Sequence, residues 1–173
     1  MTDTCHTAPT TAAAVANFFL DLYNQEKDDD VPPIDPLKLQ KLLYYAHAWH
    51  LALKDAPLFD EDIEAWPWGP VVRDIYIQFK DYKRDPITRH AVHLDADSMS
   101  LKEPPPPPDE TKEFLRLVWE AHKKYNGIQL SNSTHAKGEP WEIVKSRVGR
   151  LDSKPTIPND LIQKIFKGKL SDG

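Results

Sequence analysis

Two histidines three residues apart come closest to the spacing of a metal site. His47 and His50 fall within one predicted helix, where residues at this spacing share a face. Zinc ligand nitrogens must converge within about 2 Å of the ion. The segment His-Ala-Trp-His lacks the spacing and internal glutamate of HExxH, and His135 would have to supply a distant third ligand. We therefore expect His50 at the core edge and His47 at or near the surface.

Other catalytic patterns are weaker still. Cys5 lies in a polar N-terminal tail, and the sequence contains no GxSxG nucleophile motif. The hydroxyl and imidazole side chains of residues 131–135 are adjacent in sequence, which does not by itself assemble a catalytic triad. The carboxylates of residues 60–64 are explained by surface solvation. No GxGxxG or GxxxxGK[ST] motif is present, so we expect neither an enzyme nor a bound cofactor.

The segment from Trp66 to Pro70 (Trp-Pro-Trp-Gly-Pro) is the most unusual local pattern. Trp66 and Trp68 are two residues apart, so in an extended segment they face the same side. Gly69 allows a sharp bend, and Pro70 can begin the next helix. Burial of both tryptophans under that helix is the simpler expectation. Anchoring of a partner is the alternative, because tryptophan is enriched in interface hot spots.

Strong signals predict the helices of the first half. Thr11 can cap a helix that runs to about Tyr23. Asp35 and Pro36 begin a second helix over residues 37–53, whose apolar surface extends beyond one face. Its apolar stripe consists of Leu39, Leu42, Leu43, Ala46, His50 and Leu53. We expect this helix to be central and covered on most sides.

The middle of the chain is less regular. Residues 58–66 alternate in part and predict a strand, and residues 71–82 predict a helix with Val72, Ile75, Tyr76 and Phe79 inward. Residues 84–103 predict a weak hairpin against that strand. The five prolines of residues 104–108 predict a stiff polyproline spacer.

Four further segments predict helices or turns after the prolines. Asp109 can cap a helix over residues 110–125 with His122 toward the core, and Asn126-Gly127 is typical of a helix C-terminal stop. The other predicted elements are a short helix or turn at 130–135, a helix begun by Gly138-Glu139-Pro140-Trp141 with Val148 inward, and a helix over 159–166. The fold class is therefore mainly α, with about six helices and a small β-hairpin or short strands.

Composition excludes several classes of protein. The chain has 173 residues, 16 prolines, 6 glycines, one cysteine and a net charge of -5. One cysteine excludes an internal disulfide framework, and no apolar run is long enough to span a membrane. Residues 1–100 have a net charge of -8, which is unfavourable for binding a phosphate backbone. We expect a cytoplasmic protein for which nucleic acid is not the primary partner.

Three ordered blocks of residues resemble the Panacea domain, the SocA-like antitoxin family that also includes phage-associated GepA-type proteins. The first block is Leu37 to Ala46 followed by Trp49, and the second runs from Pro57 to Tyr76. The third contains Leu130-Ser131, Thr134-His135 and Pro140-Trp141. The matching positions are Lys38, Leu39, Lys41, Leu42, Tyr44, Tyr45, Trp66, Gly69, Pro70, Thr134, His135 and Trp141. Trp68 departs from the pattern, as does the five-proline run.

The resemblance implies a mainly helical, non-enzymatic module that neutralises a cognate protein toxin by direct contact. Antitoxins of the SocA type also act as proteolytic adaptors that deliver the toxin to the ClpXP protease. The family has no established catalytic residues. We expect a tail at residues 1–11, a Panacea-like domain at 12–150 that includes the proline spacer, and a C-terminal helix and tail at 151–173 packed on the same domain. We expect Thr134-His135 to hold the loop before Trp141.

Two other functions remain open at this stage. A DNA-binding regulator could use the short strands and the Trp-Gly-Pro turn as a winged-helix-like element. A metal-dependent hydrolase could use His47, His50 and His135. The sequence does not fix the oligomeric state, so a homo-oligomer is also open.

Overall fold

The structure is a computed structural model that describes residues 7–171. Cys5 and both ends of the chain therefore lie outside the described residues. The helices are α1 (Ala12–Gln25), α2 (Pro36–Lys54), α3 (Arg73–Phe79), α4 (Asp109–His122), α5 (Gly127–Thr134), α6 (Pro140–Val148) and α7 (Asn159–Ser171). The strands are β1 (Glu64–Trp66), β2 (Gly69–Val71), β3 (His93–Asp95) and β4 (Ser100–Lys102). The mainly α fold class is confirmed, with seven helices in the described range.

Helix α2 is the central element, as its sequence predicted. It begins where Asp35 Oδ1 accepts a hydrogen bond from Lys38 N at 2.8 Å, with Pro36 at the first position. Helices α1, α4, α5 and α7 and strand β2 pack around it, so most of its residues are buried. A helix that is covered on all sides needs little amphipathicity. Leu53, expected on the buried stripe, is instead half exposed near the C-terminal end.

Buried side-chain amides fasten the loops to the helices. Gln40 on α2 donates to Val72 O at 3.1 Å and accepts from Val72 N at 2.8 Å. Asn17 on α1 makes the same two-way contact with Ala91, at 3.0 and 2.7 Å. These side chains form hydrogen bonds with backbone N–H and C=O groups as a neighbouring strand would. The polar backbone groups of these irregular segments therefore have hydrogen-bond partners inside the core.

The two β-hairpins differ from the predicted pairing. Strands β1 and β2 pair with each other, with Trp66 opposite Gly69, and β3 pairs only with β4. The expected pairing of residues 84–103 with the 58–66 strand is wrong. Residues 155–157 already occupy that edge, because Ala65 N donates to Pro155 O and Ile157 N donates to Ile63 O, both at 2.7 Å.

Several predicted helix boundaries also need correction. Asn126 does not stop a helix but caps α5 in a capping box with Gln129. Asp109 is the first residue of α4 and not its cap, which is Pro108. Helix α3 ends at Phe79 and continues as a short 3-10 turn over Lys80–Tyr82.

Two side chains and the proline run differ in burial from what the sequence predicts. Tyr76 and Val148, both expected inward, are 41% and 47% exposed. The proline run is not wholly exposed, since Pro107 is buried. Among residues 7–171, no helix is both long and apolar enough to cross a membrane.

Candidate protein-interaction site

The three blocks of motif residues converge at the turn between β1 and β2. We call residues 66–70 the Trp68 turn. Lys41 of α2 approaches it from the core, the C-terminal half of α5 lies beside it, and Trp141 reaches it from the start of α6. Residues that are far apart in sequence therefore build one local structure.

Alternate carbonyl groups of the Trp68 turn each accept a hydrogen bond from a different helix. Trp141 Nε1 donates to Trp66 O at 2.7 Å. Ser131 Oγ donates to Trp68 O at 2.6 Å, and Lys41 Nζ donates to Pro70 O at 2.8 Å. The donors are buried, and all three bonds have good lengths. The backbone of the turn is therefore held at three points.

Gly69 has a conformation and surroundings that a larger residue would not fit. Its φ is +115°, outside the region that other L-residues adopt readily. A Cβ atom at this position would lie 2.8 Å from Thr134 Oγ1 and 3.0 Å from Lys41 Cε. The absence of a side chain thus lets α2 and α5 close on the turn.

Lys41 is an amine within the protein core. It is fully buried, and burial lowers the pKa of its ammonium group to about 7. Lys38, one turn earlier, is also buried but bonds two carbonyl oxygens, Pro32 O at 2.9 Å and Lys123 O at 2.7 Å. Burial lowers its pKa to about 8, against the opposing effect of Asp35. Both lysines hold neighbouring segments against α2.

Thr134 and His135 support the turn from α5. Thr134 Oγ1 donates to Ser131 O at 2.6 Å, the type of side-chain to backbone bond expected for a structural residue. The His135 ring stacks on Trp141 at 4.0 Å between ring centroids. Burial lowers the pKa of His135, and the positive charges of Lys41 and Lys145 lower it further. The uncharged form of the imidazole is therefore favoured.

The two tryptophans of the turn differ in exposure, contrary to the simpler expectation that both are buried. Trp66 is buried, packs edge-on against Tyr76 at 4.8 Å and donates to Glu64 Oε1 at 2.9 Å. Trp68 is 70% exposed. The reason is that Pro67 and Trp68 are the two residues of the hairpin turn, so the alternation of a strand does not apply beyond Trp66.

The remaining motif residues lie along α2 and are buried in the core: Lys38, Leu39, Leu42, Tyr44 and Tyr45. Tyr45 stacks on His122 at 4.7 Å and shares a hydrogen bond with Ser133. Burial raises the pKa of both tyrosines. These residues shape the core under the turn. Sequence reasoning missed the role of Ser131, whose hydroxyl offered no signal of its partner.

The histidines proposed as metal ligands have other partners. His47 was expected at or near the surface but is fully buried. Its Nε2 lies 2.9 Å from Asn159 Oδ1. Burial lowers its pKa to about 4, so it stays neutral. His50 Nδ1 lies 2.6 Å from Ala56 O. Within residues 7–171, no three His, Cys, Asp or Glu side chains form a group that could hold a metal ion.

Comparison with known proteins gives two matches. The family model described as "Antitoxin SocA-like, Panacea domain" matches residues 39–142, which include all of the Trp68 turn. The chain is 34% identical over 139 residues to Antitoxin SocA of Caulobacter vibrioides, covering 80% of this chain and 72% of that relative. No solved structure matches.

Proposed function

Because this chain belongs to the SocA-like Panacea domain family of antitoxins, we propose that it binds a cognate protein toxin directly and neutralises it through the Trp68 turn. The proposal includes delivery of the bound toxin to the ClpXP protease, the adaptor activity of the SocA type. It assigns the buried motif residues to support of the turn and Trp68 to contact with the toxin.

The observation that carries the proposal is an exposed tryptophan on a fixed backbone. Trp68 is 70% exposed, although the carbonyl groups of Trp66, Trp68 and Pro70 are all held by buried donors. Large exposed apolar side chains on a rigid support are typical of interface anchors. A backbone that is already ordered also loses less entropy on binding.

Trp68→Ala should abolish neutralisation and leave the fold unchanged. Removal of an interface hot spot costs about 2 kcal/mol or more, which is about a 30-fold loss of affinity. The test takes as candidate toxin the protein encoded by the reading frame next to the gene for this chain. Each variant is co-expressed with that protein and growth is measured, followed by titration calorimetry of the purified pair. Circular dichroism should show wild-type helicity.

Leu117→Ala is the matched control for this experiment. Leu117 lies on α4 and is 71% exposed, close to the exposed fraction of Trp68. Its truncation therefore removes an equally exposed apolar side chain from a different element. We expect normal growth rescue and affinity for this variant. Full rescue by Trp68→Ala, or an equal loss with Leu117→Ala, would contradict the assignment of the toxin contact to the Trp68 turn.

Delivery to ClpXP is tested separately by the lifetime of the toxin. If this chain is an adaptor, the toxin half-life after a translation block should fall several-fold when the chain is present in cells with ClpX. The half-life should not fall in cells without ClpX or with Trp68→Ala. A stable toxin in a stable complex would support neutralisation by contact alone and exclude the adaptor activity.

A further inference from the structure

Two exposed lysines lie on the tryptophan rings that frame the Trp68 turn. Lys154 Nζ is 4.2 Å from the centroid of Trp66, and Lys145 Nζ is 5.1 Å from that of Trp141. Neither lysine forms a salt bridge within residues 7–171. The cation–π contacts place both ammonium groups beside the turn. Their charges remain available to a partner.

Three carboxylates on β1 and at the start of α6, in contrast, have partners within the protein. Glu64 accepts from Trp66 Nε1 and pairs with Arg73 at 3.1 Å. Glu139, the cap of α6, pairs with Lys169. Glu142 accepts hydrogen bonds from Gly138 N and Ser146 Oγ, both at 3.0 Å, which lower the pKa of its carboxyl group. Of the charged groups named here, Lys145, Lys154 and Glu142 have no salt bridge in the described residues, so the charge left over is positive by one.

We propose that the toxin meets the Trp68 turn with an acidic surface. This surface has an apolar pocket for the indole of Trp68 and carboxylates that pair with Lys145 and Lys154. The inference rests on the proposed function and specifies its partner. This sign of charge is opposite to the one that net charge suggests for the partner. Residues 1–100 have a net charge of -8, which alone would favour a basic partner. The local charge at the contact, and not the net charge, selects the partner.

A protein partner fits these observations better than a nucleic acid. An exposed aromatic ring beside lysines is also found where proteins bind single-stranded nucleic acid. Such sites lie in extended positively charged grooves, whereas the whole chain has a net charge of -5. Two lysines on the rings of Trp66 and Trp141, with Trp68 exposed on the same turn, fit a protein surface with a few carboxylates.

The test compares two double charge reversals that change the net charge equally. Lys145→Glu/Lys154→Glu reverses the charges at the turn, while Lys80→Glu/Lys164→Glu reverses two exposed lysines that have no salt bridge in the described residues. The association rate with the adjacent-frame protein is measured at 50 mM and 500 mM salt. We expect the first variant to bind about tenfold more slowly at low salt, with a smaller difference at high salt. The control should remain close to wild type.

The outcomes separate this inference from the proposed function. If Trp68→Ala abolishes binding but Lys145→Glu/Lys154→Glu binds at the wild-type rate or faster, the acidic partner is excluded and the proposed function stands. If Trp68→Ala has no effect, both fail. Binding of a fluorescein-labelled 20-nucleotide single-stranded DNA that requires Trp68 would identify a nucleic-acid site and overturn the inference.

Discussion

Gly69→Ala should lower the free energy of unfolding by about 2–5 kcal/mol. One part of this loss is backbone strain, because alanine would have to adopt a φ of +115°. The other part is steric. The new methyl group would lie 2.8 Å from Thr134 Oγ1 and 3.0 Å from Lys41 Cε, and both neighbours are fully buried, so neither can move away without disturbing the core. Urea denaturation followed by circular dichroism measures the change.

Gly138→Ala separates the two parts. Gly138 also has a positive φ, +86°, but a Cβ atom there would meet nothing within 4 Å. This variant has the backbone strain without the steric contact. Its free energy of unfolding should therefore fall by only about 1–2 kcal/mol. Equal losses at the two glycines would show that the close packing around the Trp68 turn contributes nothing to stability. A larger loss at Gly69 assigns the difference to the contact with α2 and α5.

The beginnings of the helices were predictable because their signals are local. Asp35-Pro36 begins α2, Thr11 caps α1 by accepting from Ala14 N at 3.2 Å, and Pro140 begins α6. Each signal depends on hydrogen bonds or dihedral angles within a few residues. Such information is complete in the sequence.

The errors occurred where one local pattern is compatible with two structures. Asn126-Gly127 can end a helix or begin one. Here Gln129 Oε1 accepts a hydrogen bond from Asn126 N at 2.9 Å, which completes the capping box that begins α5. Likewise, a strand pattern predicts Trp66 and Trp68 on one side of an extended segment. In the structure Trp66 ends β1, whereas Trp68 belongs to the two-residue turn with Pro67. The choice depends on the pairing of Trp66 with Gly69, which residue types do not fix.

The burial of the lysines could not be predicted from residue type. Lysine is almost never fully buried without a partner, so Lys38 and Lys41 would be placed at the surface of an ordinary helix. Their acceptors are backbone carbonyl groups such as Pro70 O and Lys123 O, which leave no trace in the sequence. Only the resemblance to a family singled out these positions, and the structure supplies the physical reason for them.

The buried amine of Lys41 should make the protein more stable as the pH rises from 7 to 10. Burial lowers its pKa in the folded state to about 7, while in the unfolded chain it stays near 10.5. Between these values the unfolded state binds one more proton, so the free energy of unfolding rises with pH by about 1.4 kcal/mol per pH unit. Below pH 7 both states are protonated, and the contribution is flat. Lys38 adds a smaller contribution of the same sign above about pH 8.

Lys41→Met isolates this contribution because methionine fills a similar volume without a titratable group. The variant leaves Pro70 O without its 2.8 Å hydrogen bond, which is a cost that does not depend on pH. The difference in unfolding free energy between wild type and variant should therefore grow by about 4 kcal/mol from pH 7 to pH 10. Lys38 and the tyrosines of α2 are present in both proteins and cancel.

Urea titrations at half-unit steps of pH provide this difference, with Lys164→Met as the control at an exposed position on α7. The control curve should run parallel to that of the wild type. A parallel curve for Lys41→Met as well would mean that the amine keeps an ordinary pKa inside the protein. A diverging curve would show that the ammonium group under the Trp68 turn is held there at a cost. The Lys41 bond to Pro70 O would then fix the displayed tryptophan at the expense of stability near neutral pH.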